Sequence, residues 1–305
     1  MVVGFRRSLS LPVPNPSSPA RKGRALPEKA YHVRSISLPC RSHPAIASLE
    51  DEIRTLWAWQ TRPEPESGGS PAWICAGLAR IDLLHASLDG LLQLPQAQDP
   101  LRRRSSALWT DRLLDDFLCF ADAYGSFRSA LISLKQTQSE LQTAIRRRDE
   151  VRVASSVRSQ KRIEKDLAKL AVSIREASRS PAPALAADAA EAEMAGFLRE
   201  VMAATAMASA AVFLGIGAVS SAAAAAAAST SRASSWAVGP LMKLSMSRSS
   251  SLKRTTVWEE WENGTLERSE ALEECIESLE SKTERVFRSL VNTRVSLLNI
   301  LTPSL

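Results

Sequence analysis

The sequence predicts an all-α protein, an elongated bundle of about five to six long helices with heptad-type packing. A run of apolar or nearly apolar residues at alternating steps of four and three lies on one stripe of a single helix. This stripe consists of Leu113, Phe117, Phe120, Tyr124, Phe127, Leu131, Leu134, Gln138, Leu141 and Ile145. The chain has only 7 Trp, 7 Phe and 2 Tyr among 305 residues, whereas sheets favour aromatic and β-branched residues. With 45% hydrophobic residues, it can bury one large core or two modest ones.

Charge and cysteine usage bear on partners and compartment. The formal net charge of +6 would favour nucleic acid or an anionic surface, but the excess is concentrated in a few segments. The four cysteines form no C-x-x-C pair, and three of them lie in apolar helical patterns. They are Cys40, Cys75, Cys119 and Cys275. Because scattered cysteines of this kind are typical of a reducing compartment, we expect a cytoplasmic protein.

Residues 1–30 are predicted to be a disordered basic extension. They contain six Lys or Arg and a single acid, Glu28, and much of the remainder is Ser and Pro. A plastid transit peptide is the alternative, because such peptides are also rich in Arg and Ser and poor in acids. Prolines at positions 12, 14, 16 and 19 would break the amphipathic helix of a mitochondrial transit peptide.

Two amphipathic helices are predicted before residue 95. The first begins at Pro44 and carries a stripe of Ile46, Leu49, Ile53 and Leu56. A flexible linker rich in Pro, Glu and Gly follows over residues 61–70, and Ser70 with Pro71 forms the N-cap and first position of the second helix. The second helix places on one face Ile74, Ile81, Leu84, Leu88 and Leu91. Pro95 is expected to end this helix.

The long striped helix is predicted to begin near Ser105 and to run past Ile145. Two later helical segments carry opposite charge: residues 146–175 hold ten Lys or Arg and four Asp or Glu, and residues 259–288 hold ten Glu and four Lys or Arg. The acidic helix has an apolar heptad stripe formed by Leu272, Ile276, Leu279, Val286, Leu290, Leu297 and Ile300. We expect the two charged segments to pack side by side, with charge selecting their orientation and the apolar stripes supplying stability.

Residues 201–231 contain no charged side chain and include seven consecutive alanines. A helix buried on all sides of a bundle has this composition, and we favour that interpretation. The alternative is a membrane-anchored protein that uses the apolar segment near residues 201–221 as a transmembrane helix.

A second flexible linker is predicted over residues 229–256, because this segment is rich in serine and contains basic residues but no acid. Three consecutive serines behind Arg248 are candidate phosphorylation sites, namely Ser249, Ser250 and Ser251. Trp258 and Trp261 follow three residues apart. They are candidate anchors for a protein partner, although packing onto their own helix is the commoner use of such residues.

No catalytic constellation is present in the sequence. Asp115 and Asp116 are adjacent on a helix and point about 100° apart, so they do not form a shared acid–base pair. Cys119 lies in an apolar pattern and is predicted to be a buried structural thiol. The histidines are not spaced as metal ligands: His32, His43 and His85. We therefore expect a protein without enzyme activity, cofactor or metal.

Two stretches resemble a known family. Tyr31 to Pro44 reads YHVRSISLPCRSHP, and the end of the chain carries TRVSLLNIL up to Leu301. Both are similar to the signatures near the start and the end of the plant-specific BYPASS-like family. The resemblance covers residues 31–301, which we take as one helical domain.

This resemblance implies a helical regulator of plant root and shoot development that acts in a signalling pathway through protein partners. Peripheral association with membranes is a further expectation. Nucleic acid is not expected as a partner, because no aromatic residue that would stack on bases interrupts residues 146–175. The first signature is a candidate partner-binding peptide through Arg34, Ser35, Ser37, Leu38, Pro39 and Arg41. Its alternative role is a strap that packs Ile36 and Leu38 onto the bundle.

Overall fold

The computed structural model describes residues 44–61, 70–103, 107–179, 189–236 and 248–302. For residues 107–108, 229–236 and 248–258 it describes the backbone but not the side chains. These residues form seven helices and no strand, and all belong to one compact unit, Ser37–Leu305. The helices are α1 Pro44–Thr61, α2 Pro71–Leu92, α3 Pro95–Leu101, α4 Ala107–Arg146, α5 Glu150–Ala177, α6 Ala189–Trp236 and α7 Arg248–Leu301. The predicted all-α class is confirmed, and the predicted basic extension 1–30 lies outside the described residues.

The start of the bundle follows the sequence pattern closely. The predicted stripe of α1 is fully or almost fully buried, and so is that of α2. Ser70 caps α2 as predicted, since its hydroxyl accepts a hydrogen bond from the Trp73 backbone N–H at 3.2 Å. Pro95, however, does more than stop α2, because it begins the seven-residue helix α3. A proline in the first helical turn gives up no hydrogen bond, so it can start a helix as readily as end one.

The long helix α4 buries one continuous stripe of side chains. Every member of its predicted stripe is buried, including the polar Gln138. The helix ends at Arg146, since Arg148 takes a left-handed conformation with φ of 53° and the Asp149 side chain caps α5 by accepting from the Arg152 backbone N–H. A tight turn thus reverses the chain between α4 and α5.

The predicted linker over residues 229–256 overlaps two helices. The helix α6 continues through residues 229–236, and α7 begins at Arg248, so the serine-rich composition did not prevent helix formation there. Serine has only a modest helix penalty, and long flanking helices supply the costly nucleus for their own extension. The correction leaves residues 237–247 between the two helices.

Four helices form the main bundle. The helix α4 packs against α5 and α7, and α6 also packs against α5 and α7, while no substantial contact joins α5 to α7. The helices α5 and α7 therefore lie on opposite corners, which makes the predicted side-by-side pairing of these two charged helices wrong. At one end α2 packs against α6 and α7, and α1 covers α2 and α6.

Two clusters of buried side chains fill the bundle. The larger one includes an aromatic core of Trp59, Trp73, Phe117, Phe120, Tyr124, Phe127 and Phe213. The smaller one, the alanine core, lies beside the turn from α4 to α5 and consists of Leu141, Ala144, Ile145, Val153, Val157, Ala224 and Ala227. The helix α6 contributes to both, as its apolar, alanine-rich sequence allows.

Candidate interaction surface

The outer side of α5 carries a basic face. The helix buries one stripe that includes Val157, Leu167 and Ile174, and helical periodicity turns its long cationic side chains to the opposite side. The basic face consists of five exposed residues, Arg158, Lys161, Arg162, Lys165 and Lys169. The sequence signal for it is the positive charge of residues 146–175, which predicts pairing with the acidic helix α7 as readily as an exposed surface.

Most of this positive charge is not neutralised by neighbouring acids. Lys169 pairs with Asp166 on its own helix, with Nζ 2.8 Å from Oδ1. Within the part of the chain that the structure describes, no ion pair involves Arg158, Lys161, Arg162 or Lys165. The face therefore presents a concentrated positive potential to the solvent.

The acids of α7 form ion pairs and hydrogen bonds with α4 and with Arg148 of the turn that follows it, and not with α5. Arg128 pairs with Glu284 at 2.6 Å, Lys135 with Glu277 at 2.9 Å, and Arg148 with Glu262 at 4.0 Å, as measured between nitrogen and oxygen atoms. Gln142 also donates to Glu273 at 3.0 Å. The hydrogen bond to Glu277 raises the pKa of Lys135 above its ordinary value. Net segment charge indicated complementary partners, but it did not reveal that α4 lies between the two helices.

A second group of acids on α7 forms an acidic face. Four exposed glutamates, Glu260, Glu267, Glu270 and Glu274, recur at steps that keep them on the outer side of the helix. No ion pair involves them among the described residues. The molecule thus has two exposed faces of opposite charge on two helices that do not touch substantially.

A shallow groove of about 440 Å³ separates α4 from α5 next to the basic face. Its α4 wall consists mainly of the serines Ser126, Ser129 and Ser133, and Lys169 and Asp166 border it on α5. Ser129 and Ser133 donate to backbone carbonyls one turn earlier, at 3.1 and 3.0 Å. Both hydroxyl groups already donate their protons to carbonyls of α4, so they do not donate to a ligand in the groove. The groove would therefore recognise a ligand mainly by its charge and shape.

Titratable groups inside the bundle are held in neutral form. Burial lowers the pKa of His85 to about 4, against the attraction of Asp82, and burial raises the pKa of Cys275 to about 12. Burial also raises the pKa of Tyr124, although its hydrogen bond with Ser209 acts in the opposite direction. Among the described residues, no group of three or more His, Cys, Asp or Glu side chains is placed to hold a metal ion.

The predicted site residues fall in different places. Trp261 is half-buried, donates its indole N–H to the Ala226 carbonyl at 3.2 Å, and packs on the alanine core. The structure thus uses Trp261 for packing, and a partner contact for it stays a prediction. Trp258 belongs to α7, and its side chain is not among those that the structure describes.

Other predicted sites require correction or stay untested. The prediction of a buried Cys119 is wrong, because the residue is exposed: one helical step from the buried Phe120 turns it to the solvent side. The candidate phosphorylation sites occupy the first turn of α7 rather than a loop: Ser249, Ser250 and Ser251. Outside the described residues lie Arg34, Ser35, Ser37, Leu38, Pro39 and Arg41.

Comparison with known proteins places the chain beside one family. A family model described as Protein BPS1 matches residues 77–300, from the first turns of α2 almost to the end of α7. The match includes both charged faces and most of the bundle. Searches of the curated proteins and of the solved structures found no match.

Proposed function

Because the chain belongs to the family described as Protein BPS1, which indicates a regulator of plant development, we propose that it is a non-enzymatic interaction protein of root and shoot development. It acts in a signalling pathway by binding protein partners. Its site of action is the cytoplasm, with a plastid as the alternative. The match agrees with the BYPASS-like resemblance of the sequence.

One structural observation supports an interaction function. The apolar stripes of the helices are buried inside the bundle. Charged side chains without ion-pair partners among the described residues remain exposed on the outer sides of α5 and α7. Charged surfaces of this kind steer partners and select their orientation more than they supply affinity. The chemistry that the molecule offers to its surroundings therefore lies on its surface.

Proximity labelling in root tissue tests this proposal. We expect the chain, fused to a labelling enzyme, to label a reproducible set of proteins that the free enzyme does not label. Recovery of the same proteins with the fusion and with the free enzyme would contradict the proposed function.

A paired variant tests the signature peptide. We expect Arg34→Ala with Arg41→Ala to reduce recovery of at least one partner in affinity capture, because both cations flank the proposed recognition segment. Arg21→Ala with Arg24→Ala is the matched control, since it removes two cations from the extension outside the signature. Equal recovery with both variants would assign the signature to packing.

The second candidate is a membrane-anchored protein, favoured by α6. Residues Ala189–Ala228 contain a window with a mean hydropathy of 1.9, enough by length and composition to cross a bilayer. The same window is 72% buried by the rest of the bundle, which favours the cytoplasmic form. Carbonate extraction of membranes separates the two: a membrane-spanning chain stays in the pellet, and a peripheral one is released.

A further inference from the structure

The helices α5 and α7 occupy opposite corners of the bundle, so their charged faces point in opposite directions. Both helices pack against α4 and α6, and neither packs substantially against the other. In such a four-helix arrangement the outer side of each helix points away from the bundle axis. The basic face and the acidic face therefore look out from opposite sides of one molecule and do not reach each other.

The two faces match in length and charge. From Arg158 to Lys169 the basic face spans about 17 Å of helix, and from Glu260 to Glu274 the acidic face spans about 21 Å. Five cations on one stripe stand against four glutamates on the other. We propose that the acidic face of a second copy docks on the basic face of α5, so that the chain self-associates side by side. This proposal identifies a second copy of the chain as one partner of the basic face, and it rests on the proposed interaction function.

The composition of the basic face favours this occupant over nucleic acid or a membrane. No aromatic residue lies on α5 to stack on bases. The exposed apolar side chains of α5 are the two valines Val151 and Val172, at 77% and 53% exposure, and two valines give little anchorage in lipid. A helical acidic surface of similar length is present on every copy of the chain.

The geometry also sets the form of the assembly. Because donor and acceptor faces lie on opposite sides, the contact is heterologous and adds copies without closing into a dimer. The basic face borders the groove at Ser126–Ser133 of α4 through Lys169, whereas Glu273 contacts Gln142 of α4 and Glu262 contacts Arg148 of the turn that follows. This difference in level shifts successive copies by roughly 20 Å along the bundle axis.

The energetics predict weak association that depends on salt. An exposed ion pair contributes roughly 0 to 1 kcal/mol, and ions at about 0.1 M screen charges beyond about 10 Å. Several pairs in register are therefore needed, and added salt removes their contribution first. The assembly is one that forms at high local concentration and dissolves as ionic strength rises.

Sedimentation of the purified full-length chain tests the proposal. At low ionic strength we expect the weight-average mass to rise with concentration to at least about twice that of one chain, without a plateau at the dimer. At about 0.5 M NaCl we expect the mass of a single chain. A chain that stays monomeric at low salt and high concentration, or that stops at a salt-independent dimer, overturns the proposal.

Charge reversal identifies the faces. Lys161→Glu with Arg162→Glu and Lys165→Glu makes α5 acidic, and Glu267→Lys with Glu270→Lys and Glu274→Lys makes α7 basic. Each triple variant alone is expected to lose self-association, whereas an equimolar mixture of the two is expected to associate again. Arg179→Glu with Arg199→Glu, two exposed cations outside the basic face, is the control that keeps association.

The same variants distinguish a second copy of the chain from other ligands of the basic face, such as a membrane or nucleic acid. Circular dichroism checks that each variant keeps its helices, and a glutamine version of the α5 triple variant removes charge without adding acids. If the α5 variants still self-associate but no longer bind phosphatidylserine vesicles or a DNA oligonucleotide, the basic face serves a membrane or nucleic acid and the proposal is wrong. A wild-type chain that does not self-associate in solution but still labels its partners in roots would overturn only this inference and leave the proposed function standing.

Discussion

The aromatic core and the alanine core stabilise the same bundle by different means. In the aromatic core, Phe213 of α6 lies 4.4 Å from Phe127 and 5.5 Å from Tyr124, as measured between ring centroids. The Tyr124 hydroxyl is also 2.8 Å from the Ser209 hydroxyl. In the alanine core, α6 contributes only Ala224 and Ala227 as buried residues.

The stability of the bundle is concentrated in the aromatic core. A buried aromatic side chain removes far more apolar area from water than an alanine methyl group does. The aromatic core therefore holds α1, α2, α4 and α6 together through a few large contributions. The alanine core has few members and no fully buried aromatic ring, so we expect the turn between α4 and α5 to open first.

The largest effect is expected from truncation in the aromatic core. Phe213→Ala should lower the free energy of unfolding by about 3 to 5 kcal/mol, because it removes a ring and leaves a cavity. Val157→Ala in the alanine core should cost only about 1 to 2 kcal/mol. Urea denaturation of both variants measures the contrast, and equal losses would show that the two cores contribute alike.

The aromatic core should also make stability depend on pH through His85. Its ring packs edge-on to Phe117, and its Nε2 is 3.1 Å from the Thr205 hydroxyl oxygen, while Nδ1 is buried without a hydrogen bond. Because its pKa in the folded state is about 4 and the ordinary value is 6.5, protons bind only to the unfolded state between these values. Stability should therefore fall as pH drops from 6.5 to 4, by about 3 kcal/mol in total.

The variant His85→Gln isolates this contribution. It keeps a polar side chain near Thr205 but does not titrate, so the difference in free energy of unfolding between the wild type and the variant should shrink toward pH 4. Carboxylates titrate in both proteins and cancel. A difference that does not change with pH would mean that His85 is not neutral in the folded chain.

A smaller effect is expected where Trp59 crosses Gly77. A Cβ atom on Gly77 would lie 2.3 Å from Trp59 Cζ2, so the indole ring, which is stacked on Trp73, would have to shift. Gly77→Ala should destabilise the protein by about 1 to 2 kcal/mol after its gain in helix propensity. Gly90→Ala is the matched control, because that site is open and alanine there should stabilise by about 0.5 to 1 kcal/mol. Thermal denaturation giving the same sign for both would contradict the close packing.

The smallest effect is expected at the alanine core. Trp261→Phe keeps most of the apolar contact but removes the N–H that donates to the Ala226 carbonyl. The expected loss is about 1 kcal/mol, accompanied by faster amide exchange in α6 near residue 226. Exchange that instead accelerates first at Tyr124 would reverse the ranking of the two cores.

Helical periodicity accounts for what the sequence predicted correctly. The stripe of α4, the stripe of α1 and the Ser70 cap each depend on neighbours within one or two turns, so local rules suffice. The exposed Cys119 was missed because its neighbour Phe120 is apolar, although a step of 100° separates their directions. The short helix α3 was missed because proline both ends and begins helices.

Long-range arrangement accounts for what the sequence did not reveal. Opposite net charge on α5 and α7 predicted direct contact, yet Arg128 and Lys135 of α4 pair with α7 instead. The basic face was visible as a run of cations, but whether it would be buried against acids depended on which helices are adjacent. Segment charge carries no information on that order.

The stacked indoles of Trp59 and Trp73 have a consequence for spectroscopy. The ring centroids are 4.2 Å apart and the planes differ by 24°, and the two residues belong to α1 and α2. Two chromophores this close couple as an exciton and give a circular dichroism couplet that a lone indole lacks. The couplet disappears when α1 separates from α2, so circular dichroism in the indole absorption bands reports whether α1 is docked on the bundle.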